Sequence, residues 1–118
     1  DTGYFGGFRA IGQVFPSIDV AILPLGAYEP RWFMGSQHMP PERSVDAFVD
    51  LGARRFVGMH WGTFDLSDES VDDGPRLLSQ IVREGEGLDP SRFHVLRHGG
   101  SLGIDARGEV AALGEAGL

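Results

Sequence analysis

Apolar residues recur at helical spacing in three segments of the chain. The first runs from Phe5 to Phe15 and stops at Pro16. The second spans residues 40–51; it starts with two prolines, which suit the first turn of a helix. The third covers residues 77–82 and is followed by glycines. These patterns predict three amphipathic helices.

Continuous apolar runs lie between the predicted helices. They are rich in Val, Ile, Leu and Phe and cover residues 18–25, 55–60 and 93–97. The first run has the composition of a strand that is covered on both faces. A weaker strand is expected over Leu102–Ile104, and the tail that follows is expected to be loosely ordered. Alternating helices and strands predict an α/β layer architecture.

Polar residues that could bind a metal or take part in catalysis lie in loops or at the end of a strand. Asp1 opens the chain, His38 lies in an irregular segment over residues 26–39, and His60 ends a predicted strand. Open α/β sheets usually bind ligands in loops at strand ends. The placement of these three residues therefore suggests a site at one edge of the sheet.

Composition and charge narrow the function. The net charge is −7 and all ten basic residues are arginine, so the surface is acidic and argues against nucleic acid as a partner. Cysteine is absent, which excludes disulfides, thiolate ligands and a cysteine nucleophile. The apolar stretches are far shorter than the ~20 residues of a membrane span. We expect a cytoplasmic protein, and leave membrane association and an export signal open.

His60 is the strongest single candidate for chemistry, because it should emerge beside the glycine turn of Met-His-Trp-Gly-Thr-Phe. A neutral imidazole is the commonest metal ligand; composition alone favours a half-buried histidine bonded to a loop carbonyl. Asp1, beside Thr-Gly, suits metal coordination, yet a solvated acid is the commoner case. His38 could contact an anion or transfer protons, or simply be solvated.

The aromatic segment Tyr28-Glu-Pro-Arg-Trp-Phe-Met34 allows two interpretations. It could line a pocket for a lipophilic phosphoester, with Arg31 pairing a phosphate and Tyr28 and Trp32 contacting substrate. It could equally cover a sheet edge, with Arg31 bridging Glu29. Residues 67–69, Ser-Asp-Glu, are predicted to cap the third helix. The remaining histidines are expected to be structural or solvated.

Three segments together resemble a known family. They are Asp-Thr-Gly-Tyr at residues 1–4, Leu-Gly-Ala-Tyr-Glu-Pro-Arg-Trp-Phe-Met at 25–34 leading to His38, and His-Trp-Gly-Thr-Phe at 60–64. In order and spacing they resemble the C-terminal half of the N-acyl-phosphatidylethanolamine phospholipase D branch of metallo-β-lactamase-fold hydrolases. The resemblance runs from Asp1 to about Leu96, and the central run is its most specific part.

The resemblance implies an αββα sandwich with two zinc ions between the sheets. Asp1 would bridge both ions, His60 would bind one of them, and His38 would contact the substrate. The implied reaction is hydrolysis of a lipid or lipid-like phosphodiester by a metal-bound hydroxide. The chain would be the C-terminal part of one such domain over residues 1–118, without its N-terminal half.

The chain also departs from the family. The upstream motif His-x-His-x-Asp-His is missing, as is a further histidine ligand, so this chain alone should not hold a working two-zinc site. With the partner sheet missing, one apolar face should be exposed. Expected partners are a small-molecule or lipid substrate, the N-terminal half of the same fold, a peripheral membrane contact and a second copy of the chain.

Two other functions stay open. The same fold could act as a lactonase or other ester hydrolase, because it hosts many chemistries. Alternatively, the chain could be a metal-free remnant that serves as a binding module. A histidine-rich metal motif upstream of Asp1 in the gene would favour the enzyme over the remnant.

Overall fold

The computed structural model describes residues 1–114. The elements, in chain order, are α1 (Gly7–Val14), β1 (Val20–Pro24), α2 (Arg31–Met34), α3 (Pro41–Leu51), β2 (Arg55–Met59), α4 (Asp73–Glu84), a 3₁₀ turn (Pro90–Arg92), β3 (Phe93–His94), β4 (Ser101–Ile104) and β5 (Val110–Gly114). The mixture of helices and sheets confirms the predicted α/β class.

The main sheet has three parallel strands in the order β1-β2-β3. Val20 to Pro24 pair in register with Arg55 to Met59. The ladder continues one residue past β1, where the Leu25 N–H donates to the Met59 carbonyl at 2.8 Å. Because parallel strands end at the same edge, the segments that follow β1 and β2 lie side by side.

Helix α3 packs against the sheet and holds the core together. Its buried Ser44 hydroxyl donates to the Pro24 carbonyl at 2.5 Å, which fixes the helix to the end of β1. Phe48, three per cent exposed, packs edge-on against Phe56 of β2. Helix α1 approaches the end of α3 closely, since a Cβ on Gly12 would lie 2.7 Å from the Leu51 carbonyl oxygen.

The three predicted helices exist, with ends shifted by a few residues. Helix α3 begins at Pro41 and ends before Gly52, whose φ of 65° is the left-handed conformation that glycine adopts readily. Helix α4 ends at Glu84, before the predicted stop at Gly85. Among the helices of residues 1–114, none combines the length and apolar character that crossing a membrane requires.

The composition of the first strand had predicted that both of its faces are covered, but only one face is. Ala21 and Leu23 are buried beneath the helices, whereas Ile22 on the opposite face is 57% exposed. No described residue covers Ile22 in the way that the helices cover Ala21 and Leu23. This agrees with the expectation that one apolar face of the sheet is exposed. Strand β3 is also shorter than predicted, because only Phe93 and His94 pair with β2.

The tail forms an antiparallel hairpin of β4 and β5, so the expectation of a loosely ordered tail is wrong up to residue 114. The Asp105 side chain accepts from the Arg107 and Glu109 N–H groups and closes the turn. Arg55 ties the hairpin to the sheet by donating to the Gly108 carbonyl and the Glu109 carboxylate, each at 2.9 Å. Residues 115–118 of the predicted tail lie outside the described residues.

Candidate metal centre

The structure brings Asp1, His38 and His60 together at the carboxyl edge of the parallel sheet. Nδ1 of His38 lies 2.6 Å from Oδ2 of Asp1, and Nε2 of His60 lies 3.4 Å from the same oxygen. One ligand atom from each residue can be chosen so that all three lie within 4.8 Å of one another. The two imidazole rings have centroids 5.9 Å apart. The sequence had placed these residues in loops or at strand ends but could not show this convergence.

His60 reaches the cluster through an unusual backbone conformation. It follows β2 directly, with a φ of 61°, in the left-handed region that few residues other than glycine adopt. That conformation costs a non-glycine residue on the order of 1–2 kcal/mol. Gly26, which follows β1, allows the turn to pack closely, because a Cβ there would lie only 2.1 Å from the His60 carbonyl oxygen.

Close packing of two loops positions Asp1 and His38. A Cβ on Gly3 would lie 2.4 Å from the Ser36 carbonyl oxygen, so the segment carrying Asp1 rests directly on the loop before His38. The His38 N–H donates to the Met34 carbonyl at 2.9 Å, and the next residue, Met39, is fully buried. The backbone at His38 is therefore fixed on both sides.

The surroundings of the His38 imidazole favour its neutral form and leave one ring nitrogen without a hydrogen bond. Burial lowers its pKa below the ordinary value, and the nearby His60 lowers it further, against a smaller opposing effect of Glu69. Among residues 1–114, its Nδ1 is the buried side-chain polar atom without a hydrogen bond, because the close contact with Asp1 is not aligned as one. A neutral imidazole with an unused nitrogen can accept a hydrogen bond or bind a metal ion.

The donor set fits a zinc ion. It combines two imidazoles with a carboxylate, which are ligands that zinc uses routinely. The side chains are only partly exposed, at 25% for Asp1, 24% for His38 and 32% for His60, so the cluster keeps access to solvent. The described residues therefore offer three donor groups on an accessible edge.

At Tyr28 and Arg31 the aromatic segment agrees with the structural interpretation, in which it covers a sheet edge and Arg31 bridges Glu29. Tyr28 is one per cent exposed and its hydroxyl donates to Asp73, so it is not placed to contact a substrate directly. Arg31 pairs with Glu29 and Glu42. Trp32, in contrast, is 85% exposed on the short helix α2 and remains available for the predicted contact.

Glu69 is a residue whose role the sequence did not reveal. It does not cap α4, which begins four residues later at Asp73 without a side-chain cap. Its Oε1 instead accepts the backbone N–H groups of Tyr28 and Glu29, both at 2.8 Å. Ser67 donates to its other oxygen. One carboxylate thus connects the loop after β2 to the loop after β1, and no local pattern could have shown it.

Replacing Glu69 by alanine should lower the free energy of unfolding by about 2 kcal/mol, because two N–H groups lose their acceptor. Glu69→Gln, which keeps a carbonyl oxygen, should lose less. Urea unfolding monitored by circular dichroism measures both changes. The exposed Glu86→Ala is the control and should stay within about 0.5 kcal/mol of the wild type. Equal losses in the Ala and Gln variants would contradict the role of the acceptor oxygen.

Comparison with known proteins agrees with this geometry. Residues 1–61, more than half of the chain, match the model of the β-lactamase superfamily domain. The chain belongs to the metallo-β-lactamase superfamily. Asp1, His38 and His60 all fall inside the matched region. The fold expected from the sequence is therefore confirmed at the level of the superfamily.

The chain is also similar to individual members of the superfamily, two of which carry the name of the branch that the sequence resembles. It is 37% identical over 95 residues to N-acyl-phosphatidylethanolamine-hydrolyzing phospholipase D 1 of Caenorhabditis elegans, covering 79% of this chain and 27% of that protein. It is 41% identical over 87 residues to the mitochondrial enzyme of that name from Saccharomyces cerevisiae, covering 72% and 19%. A metal-dependent hydrolase of Listeria innocua is 32% identical over 96 residues, covering 75% and 37%. The chain thus spans well under half the length of these superfamily members.

Proposed function

We propose that the chain contributes part of the active site of a zinc-dependent hydrolase that cleaves a lipid or lipid-like phosphodiester. The observation that carries the proposal is the convergence of Asp1, His38 and His60, with a buried and unused imidazole nitrogen among them. The names of the relatives support it, since two are phospholipases D that hydrolyse N-acyl-phosphatidylethanolamine and a third is a metal-dependent hydrolase.

The three residues take different roles in this proposal. Asp1 and His60 would hold the metal, as the family resemblance implies, and their carboxylate oxygen and imidazole nitrogen lie 3.4 Å apart at the sheet edge. When bound, zinc polarises a phosphoryl oxygen and makes water a nucleophile near neutral pH. The lowered pKa of His38 keeps its imidazole neutral, so it can accept a hydrogen bond from substrate or water beside the metal.

A second candidate reaction is hydrolysis of a carboxylic ester or lactone at the same site. It is favoured by the likeness to a relative that is described only as a metal-dependent hydrolase. Both reactions develop negative charge on oxygen, which a metal stabilises in either case. The substrate assay must therefore include both ester classes.

The test begins with elemental analysis of the complete gene product that carries this chain. We expect about two zinc ions per polypeptide, loss of activity with a chelator, and recovery when zinc is restored. Turnover of a phospholipid phosphodiester but not of a lactone supports the first reaction, and the reverse result supports the second. A folded protein that binds no zinc would overturn both.

His38→Ala in the same protein should lower turnover about 100-fold, the lower end of what a proton-transferring side chain contributes, while zinc content stays unchanged. Steady-state kinetics and metal analysis measure the two quantities. His94→Ala is the matched control, because His94 lies 3.4 Å from Arg55 at the opposite end of β2. Loss of zinc in His38→Ala would show instead that His38 is a metal ligand.

A further inference from the structure

Tyr4 attaches the segment that carries Asp1 to helix α3. Its hydroxyl donates to the Asp50 carboxylate, in the last turn of the helix. The guanidinium carbon of Arg43, in the first turn, lies 5.0 Å from the centre of the Tyr4 ring, whose face attracts a cation. Arg43 and Asp50 are about two helical turns apart on one face of α3. The partly buried Tyr4 is therefore held at its ring and at its hydroxyl by the same helix.

The acceptor of this hydrogen bond is fixed in the core. The Asp50 side chain is only 13% exposed. A Cβ on Gly12 would lie 2.8 Å from the Asp50 carbonyl oxygen, so α1 packs closely against this turn of α3. Arg9 approaches the Asp50 carboxylate to 3.8 Å, but its own side chain is 74% exposed, and exposed ion pairs contribute little. The packing of two helices thus sets the position of the group that receives the Tyr4 hydroxyl.

The hydrogen bond from Tyr4 belongs to the stronger class. Its acceptor is a carboxylate, and hydrogen bonds to an ionised group are roughly twice as strong as those between neutral groups. The same bond raises the pKa of the Tyr4 phenol above its ordinary value, so the hydroxyl remains a donor at neutral pH. The link between the Asp1 segment and α3 therefore persists across the neutral pH range.

The other end of the segment reaches the metal centre. Between Tyr4 and Asp1, Gly3 packs against the loop before His38 so closely that a Cβ would lie 2.4 Å from the Ser36 carbonyl oxygen. His38 itself lies only a few residues before the start of α3. Short segments thus connect both Asp1 and His38 to this helix, and the 2.6 Å between their side chains depends on where it holds each one.

We propose that Tyr4 and Asp50 form a positioning pair that fixes Asp1 beside His38 in the candidate metal centre. The inference rests on the proposed function, which gives the Asp1 carboxylate its use as a zinc ligand. Neither member of the pair belongs to the donor set, so the pair acts through the backbone of residues 1–4. A carboxylate that is held in place before the metal arrives loses less conformational entropy on binding it.

Removal of the Tyr4 hydroxyl should weaken zinc binding by the complete gene product. We expect Tyr4→Phe to raise the zinc Kd about tenfold, the lower end of what loss of an orienting partner costs. Phenylalanine keeps the ring beside Arg43 and removes the hydrogen bond alone. Competition with a chelator of known affinity measures the change. Asp50→Ala should have the same effect, whereas Asp50→Asn keeps an acceptor oxygen and should retain most of the affinity.

Two comparisons separate positioning from a general loss of stability. The double variant Tyr4→Phe/Asp50→Ala should bind zinc no more weakly than either single variant, because the two residues act as one pair. Val82→Ala truncates a buried side chain on α4 and should lower the melting temperature at unchanged zinc affinity. Additive losses in the double variant, or a tenfold loss of affinity in Val82→Ala, would overturn the proposal.

The mobility of the Asp1 segment can also be measured without metal. Thr2 lies between Asp1 and Tyr4, and Thr63 lies in the loop after His60. In the metal-free complete gene product, NMR relaxation of ¹³C-labelled threonine methyl groups reports how rigid each site is. In Tyr4→Phe, the order parameter of the Thr2 methyl should fall well below its wild-type value, while that of Thr63 stays the same. An unchanged Thr2 methyl would refute the positioning pair.

The outcomes distinguish this inference from the proposed function. A folded wild type that binds no zinc would refute the hydrolase, yet a mobile Thr2 methyl in Tyr4→Phe would still establish that the pair fixes the Asp1 segment. Zinc-dependent hydrolysis by the wild type, together with wild-type zinc affinity in Tyr4→Phe, would support the hydrolase and refute the pair.

Discussion

Substituting asparagine for Asp1 should lower the zinc affinity of the complete gene product by more than about 100-fold. The exchange keeps the size of the side chain but removes the negative charge from the oxygen that lies 2.6 Å from His38 and 3.4 Å from His60. Loss of a residue that merely orients a ligand costs about 10- to 100-fold in metal affinity, so loss of a direct ligand should exceed that. Competition with a chelator of known affinity measures the change, and phosphodiester turnover should fall with it.

Two further measurements make the Asp1 result specific. Asp65→Asn removes the same charge from an exposed acid in the loop after His60 and should leave zinc affinity unchanged. Saturating zinc should raise the melting temperature of the wild type but hardly that of Asp1→Asn, because ~100-fold excess over Kd adds about 2.7 kcal/mol of stability. Wild-type zinc affinity in Asp1→Asn would remove Asp1 from the metal centre.

The Gly26→Ala variant should lose about 3 kcal/mol of unfolding free energy and most of its zinc affinity. The added Cβ would lie 2.1 Å from the His60 carbonyl oxygen and 3.2 Å from the Trp61 Cα. Both neighbours are backbone atoms, so the chain after β2 must move and carry the His60 imidazole with it. Such overpacking typically costs 1–3 kcal/mol, and backbone atoms give way less readily than side chains.

Urea unfolding and a zinc titration measure the two effects of Gly26→Ala on one protein sample. Gly6→Ala is the control, because a Cβ there meets nothing within 4 Å and the residue has an ordinary φ of −66°. We expect its stability to stay within about 0.5 kcal/mol of the wild type. If Gly26→Ala matched the control in both measurements, close packing of Gly26 would not position His60.

Local pattern was sufficient to predict much of the fold. Helix α3 has prolines at its start, a glycine at its end, and Val45 and Phe48 on its buried face, and all of these signals agree. Strand β2 could be recognised because Phe56 lies in a short apolar run that ends at a histidine. Where local signals agreed in this way, the element exists with nearly the predicted bounds.

The features that local pattern missed depend on distant contacts. The hairpin of β4 and β5 has an Ala- and Gly-rich second strand with little β propensity, and it is held in place by Arg55 from β2. Tyr28 looked like a pocket residue because it is aromatic, yet Asp73 and the packing around it place it in the interior. Such placements follow from three-dimensional neighbours rather than from spacing along the chain.

In the candidate site, too, some features follow from local sequence and others from contacts between distant segments. His60 could be identified from its position after a strand, whereas the approach of Asp1 and His38 to it depends on how two loops pack. The resemblance to a family supplied the link between these segments before the structure was known. The pairing of Glu69 with the backbone at Tyr28 and Glu29 had no comparable signal.

The left-handed backbone of His60 costs stability, and the proposed function gives the side chain a use that offsets this cost. Because glycine adopts this conformation without the penalty of a Cβ, relaxed selection on activity would favour glycine at position 60 even though the imidazole is lost. Engineering for thermal stability alone would favour the same exchange. On the proposed function, a glycine at this position in a related sequence would mark a protein that keeps the fold without the reaction.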